Sequence, residues 1–189
     1  MNRLIECKFF KFLIYLRGND MLSFQTLQNN VEKLYKNREK DDIEKILECK
    51  LVLLDTEASE FMNELEDHKY YKKNKKQNKS NQLEEFCDCI HAIYSIANML
   101  NINLNIENNY SDITATDNIL GTYRRLKLSI AKIDMKLALN NKIYCEQYLR
   151  LILIKLYKIA KAKGFTEEDI VISFVAVYTK NMIRANSDY

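Results

Sequence analysis

Apolar residues recur three and four positions apart along most of the chain, a spacing that predicts helices. Leu22, Leu27, Val31 and Leu34 mark a first amphipathic helix from Met21 to about Tyr35, and the polar stretch from Asn37 to Lys40 breaks it. Asp41 and Asp42 then offer an N-cap and a negative first turn to a second helix from Ile43 to about Leu65. His68 to Ser80 is aromatic, then lysine-rich, and reads as a flexible connection. A third helix from Ser80 or Asn81 to about Leu100 is apolar on almost every side, which suits the middle of a bundle or an interface.

The asparagine-rich stretch from Asn101 to Tyr110 predicts a loop, and Asp117 a cap for a fourth helix reaching about Leu139. A fifth helix from about Ile143 to Lys163 stops at Gly164, a natural residue for a left-handed helix end. Thr166-Glu167-Glu168-Asp169 resembles a capping box that opens a last helix to about Arg184. The expectation is an all-α bundle of five to six helices forming one domain over residues 21–189.

Composition sharpens this picture. The 189 residues include no proline and only three glycines, so helix-breaking residues are scarce. With 47% hydrophobic and 29% charged residues the chain should fold rather than stay disordered. The net charge of +3 is concentrated in Lys72, Lys73, Lys75, Lys76 and Lys79, and the remainder is mildly acidic, which argues against a nucleic-acid polymer as partner. Five cysteines, Cys7, Cys49, Cys87, Cys89 and Cys145, lie within apolar helical patterns and read as reduced core residues of a cytoplasmic protein. Residues 1–20 are basic and apolar, but Glu6, Lys8 and Lys11 interrupt them, and the run is too short for a membrane span. Translation is expected to begin at Met21, since Arg17-Gly18-Asn19-Asp20 is compatible with a purine-rich ribosome-binding stretch.

The candidate chemistry lies in misplaced acids. At about 100° per residue, Leu53, Leu54, Ala58, Phe61 and Leu65 form one stripe of the second helix, and Glu57 falls inside it with Glu60 and Glu64 at its edge. Glu57 and Glu60 are also neighbours of like charge. The third helix repeats the arrangement with Glu85 and Asp88, on a helix with little polar surface. If the two helices pack antiparallel, the four carboxylates face one another, at a Coulombic cost that a hard divalent cation removes. Oxygen-only ligands select Mg²⁺ or Mn²⁺. Such a site suits phosphate substrates, and Glu60 is the candidate to position or deprotonate a water nucleophile.

These residues resemble those of a known family. LDTEASEFMNE followed by HKYY is similar to the segment of the dimeric all-α dUTPases in which ExxE precedes an Asn-Glu pair and an aromatic-Lys-aromatic motif. EEFCDCIHAIYSIA resembles that family's next helix, with ExxD followed by His, and GFTEEDI with Tyr178, Lys180 and Asn181 resembles its closing helix. Leu27-Gln28 fits its first helix. The resemblance implies a Mg²⁺-dependent nucleotide pyrophosphatase of the MazG-like superfamily, a homodimer with a site shared between subunits, converting dUTP and dUDP to dUMP. It also implies Glu57, Glu60, Glu85 and Asp88 as metal ligands and Lys180, Asn181 and Lys69 near the phosphates. Gln28, Asn63, His91 and a stacking Tyr71 would serve the base and sugar.

The sequence departs from the family at Tyr71, where Trp is favoured, at Val31, where Asn or Asp is favoured, and around Arg184, Ala185 and Ser187. Metal chemistry is therefore better supported than uracil specificity. Two alternatives accompany the dUTPase reading: a related pyrophosphatase for dCTP or a modified deoxynucleotide, and a weakly catalytic dimer that binds a repressor protein, as some phage members do.

Overall fold

A computed structural model describes residues 23–35, 42–75, 78–104, 107–133 and 135–187. Among these the structure has seven α-helices and no strand: α1 (Phe24–Tyr35), α2 (Ile43–Leu65), α3 (Lys79–Met99), α4 (Ile119–Ala131), α5 (Met135–Asn140), α6 (Lys142–Ala162) and α7 (Glu167–Asn186), with a 3₁₀ turn at Glu107–Asp112. The proposed extension over residues 1–20, Asp41 and Cys7 lie outside the described residues. No described helix is long and apolar enough to cross a membrane.

Side-chain caps set most helix starts. Asp42 accepts from the Glu44 amide at the head of α2, and Asn78 and Asn141 accept from the amides three residues on at the heads of α3 and α6. Thr166 and Asp169 form the reciprocal capping box of α7. The left-handed Gly164, at φ 73°, ends the turn after α6. One expected helix is two: α4 stops at Ala131, where the Lys132 and Ile133 amides turn back to Leu128 and Ile130, and α5 follows as a separate element. The cap of α4 is Asn118 rather than Asp117, because the Asn118 Oδ1 lies 2.7 Å from the Gly121 amide, three residues on.

Helix α3 is the axle of the bundle and packs against α1, α2, α6 and α7. Its all-round apolar surface is thus consumed inside one chain and gives no argument for a dimer. Phe86 at its centre is fully buried against Phe61 of α2, Tyr157 of α6 and Phe165. Burial of each such side chain is worth ~1.5–3 kcal/mol. Cys87, Cys89 and Cys145 are buried free thiols as expected, whereas Cys49 is exposed because it falls on the outer side of α2.

Cross-links between α2 and α3 fix their direction. Gln82 reaches the Glu64 carbonyl near one end and Lys50 reaches Ser95 near the other, so the pair is antiparallel. That order places the middle of α2, with Glu57, beside the first half of α3, with Glu85 and Asp88.

Candidate active site

Glu57 projects from α2 between the buried Leu54, Ala58 and Phe61, on the side packed against α3. Because α3 answers with Glu85 and Asp88 one turn apart, one carboxylate oxygen from each of the three residues lies within 4.8 Å of the others. All three are half-buried. Burial, and then the Asp88, Glu60 and Glu85 charges, push Glu57 up to about 7. Glu85 likewise rises to about 7, through burial first and then Asp88 and Glu60. Asp88 rises to about 6 through burial and Glu84, although Arg184 and Lys180 pull it back. Three acids held together at such proton affinities have too little positive charge nearby, which is the condition a bound cation relieves.

Glu60 contributes its charge to this cluster but stands exposed beside it, outside the set of three. Lys180 is ion-paired with Glu84 at the edge, and Asn181 and Arg184, one turn apart on α7, line the neighbouring cleft.

That cleft, about 470 Å³, runs from Glu57 and Asp88 across the top of α3 to α1. Its volume is within the range of small-molecule sites, roughly 300–1,000 Å³. Leu53, Val31 and Ala92 give it apolar walls, and its far end is polar. There His91 Nδ1 lies 2.6 Å from Gln28 Oε1, and Gln28 Nε2 donates to Glu32 at 2.7 Å. Lys50 donates to Glu32 at 2.8 Å and to Ser95 at 2.6 Å. The His91 ring stacks on Phe174 at 4.0 Å, and Phe174 stacks on Phe24 at the same spacing. Burial drives His91 down to about 4, so its ring is neutral near pH 7.

Of the residues singled out in the sequence, the structure brings Glu57, Asp88, Gln28, His91 and Asn181 to this one cleft, with Glu85 beside Glu57 and Asp88, and Glu60 and Lys180 near the carboxylate end. Asn63 is exposed on α2, Lys69 pairs with Glu66 at 3.2 Å, and Tyr71 is 72% exposed against Tyr70; none of these three lines the cleft. Sequence reasoning missed Glu32, Lys50, Ser95 and Arg184. Helical spacing held the signal: Glu32 and Ser95 stand four residues beyond Gln28 and His91, and Arg184 three beyond Asn181.

A cleft of this volume with a cation-seeking carboxylate cluster at one end and polar side chains at the other can hold a nucleotide by its phosphates and its base. None of the curated proteins matches the chain. Residues 20–189 match the family model described as dUTPase. With an all-α fold and nearly its whole length inside that match, the chain belongs to the dimeric all-α dUTPase family and is a dUTP diphosphatase.

Proposed function

We propose that the protein hydrolyses dUTP, and also dUDP, to dUMP in a Mg²⁺-dependent reaction in which water attacks the α-phosphate. The convergence of Glu57, Glu85 and Asp88 at the end of a nucleotide-sized cleft carries this reading. The donor set fits the metal: hard carboxylate oxygens, raised in proton affinity by burial and then by neighbouring acidic charge, with no thiol or imidazole among them, suit Mg²⁺ or Mn²⁺ rather than zinc. Bound there, the ion would offset phosphate charge and make water more acidic.

The remaining roles belong to the chain itself. Glu57, Glu85 and Asp88 hold the cation, with Glu60 as a further ligand or as the group that orients and deprotonates the attacking water. Its exposure beside the cluster leaves it free for either task. Lys180, released from Glu84, and Asn181 bind phosphate oxygens from α7. Gln28 and His91 form the base end. The reading includes a homodimer, supported by Val52 and Ile183, which are 61% and 65% exposed next to the cleft-lining Leu53 and Arg184.

The test is pyrophosphate release from dUTP, and phosphate release from dUDP, against dCTP and dTTP, for the wild type and Glu57→Gln. Wild-type turnover with uracil nucleotides should disappear in EDTA, and the variant should lose activity by about two orders of magnitude or more. Equal turnover by the two proteins would overturn the site.

A further inference from the structure

We propose that Lys50, acting through Glu32 and Ser95, is a positioning residue that fixes the side-chain amide of Gln28 and thereby the tautomer of His91. The consequence for the base rests on the reading of Gln28 and His91 given above; the tautomer does not.

Donor and acceptor chemistry settles the amide. Glu32 as a carboxylate accepts only, and it receives Lys50 at 2.8 Å, Ser95 at 2.6 Å and Gln28 Nε2 at 2.7 Å. Gln28 must therefore turn its NH₂ toward Glu32, and its carbonyl oxygen is left 2.6 Å from His91 Nδ1. A carbonyl also only accepts, so Nδ1 must carry the ring proton. In the neutral ring Nε2 is then a bare lone pair, and it is buried without a hydrogen-bond partner.

The opposite arrangement has its own support, which is why something must decide between them. The main chain of Phe174 favours added protonation of the ring, and an Nε2–H tautomer would have Gln28 reversed so that its NH₂ donates to Nδ1. That reversal sets the Gln28 oxygen against the Glu32 carboxylate at hydrogen-bond distance, acceptor to acceptor. Glu32 forbids it only while it is held in place, and its side chain is 13% exposed with Lys50 as its cation. Without Lys50 the carboxylate would be left desolvated and unpaired, and would swing toward water.

With the ring fixed, the amide keeps one orientation and presents a single donor and acceptor order. A reversible pair matches both an imide edge and an amino-pyrimidine edge, whereas a fixed pair rejects one of them. Lys50 thus supports discrimination between uracil and cytosine nucleotides from a position remote from the carboxylate cluster.

The tautomer is read directly by ¹⁵N NMR of histidine-labelled protein, which contains only His68 and His91. In the wild type and in Lys50→Arg, His91 should be neutral and protonated at Nδ1; in Lys50→Met and Glu32→Gln the signals should shift toward Nε2–H or an average. Lys50→Met should also raise KM for dUTP about tenfold with kcat changed less than about twofold, and lower the dUTP to dCTP preference about tenfold. Lys50→Arg should restore both. An Nε2–H ring in the wild type, or an unchanged ring in both Lys50→Met and Glu32→Gln, overturns the proposal. The expected tautomers with unchanged KM in Gln28→Ala and His91→Ala would instead leave the clamp standing and remove the base-pocket reading.

Discussion

Glu57→Gln should stabilise the metal-free protein while it destroys metal binding. Carrying the Glu57 carboxyl from its ordinary 4.5 to about 7, at about 1.4 kcal/mol per tenfold change in proton affinity, amounts to roughly 3 kcal/mol. The group is only half-buried, so screening by water reduces this to about 1–2 kcal/mol. Because its folded value lies above its unfolded one, the stabilisation is complete below about pH 4.5 and is lost as pH rises through about 7. In EDTA the difference between variant and wild type should be near zero at pH 4.5 and largest at pH 8. At this chain length 1 kcal/mol moves Tm by about 2–4 °C, so the variant should melt about 2–8 °C higher at pH 8. Added Mg²⁺ should raise the wild-type Tm by mass action and raise that of the variant much less. Calorimetry in EDTA and in Mg²⁺ at the two pH values measures all four numbers. A variant that melts below the wild type in EDTA at pH 8 would show that Glu57 is a structural ion-pair partner and not a member of a frustrated acidic cluster.

Other consequences are local. Phe174→Ala removes a fully buried ring stacked on both His91 and Phe24, and should cost about 3–5 kcal/mol in urea unfolding; less than about 1 kcal/mol would mean that the stack is not formed. Thr166→Ala takes one half of the α7 capping box and should cost about 1 kcal/mol in the same assay. At Gly164 a Cβ would meet nothing within 4 Å, yet φ is 73°, so Gly164→Ala should lose about 1 kcal/mol through backbone strain alone.

How far the sequence carried varied with the physics involved. The α2 boundaries were legible to the residue, because an apolar stripe and an aspartate cap coincide at Ile43 and the stripe ends at Leu65. The long fourth helix was not: the apolar spacing continues through Ile130, Ile133 and Leu137, and only the local hydrogen bonding of Lys132 and Ile133 divides it. Glu57 and Asp88 could be found because an acid on an apolar face contradicts its surroundings. Lys50 and Glu32 contradict nothing in one dimension, since each is a common helical residue on a partly polar face, and Ser95 is a single small residue that an apolar helix accommodates. Their significance comes from the crossing of α1 over α3, which no periodicity encodes. Tyr71 and Lys69 illustrate the converse, for a sequence motif assigned them to the site while the turn after α2 directs Tyr71 outward and Lys69 to Glu66.

The choice of asparagine to begin α3, α4 and α6 has a consequence for acid tolerance. An amide keeps its acceptor oxygen at any pH, so these three starts do not weaken as carboxylates take up protons. The starts of α2 and α7 depend instead on Asp42 and Asp169. The Lys79 contact and the Thr166 amide hold Asp169 below the usual carboxylate range, so the start of α7 should also survive to lower pH. Hydrogen exchange along a pH series would see the first turn of α7 stay closed below the usual carboxylate range, as would the start of the axle helix that carries Glu85 and Asp88.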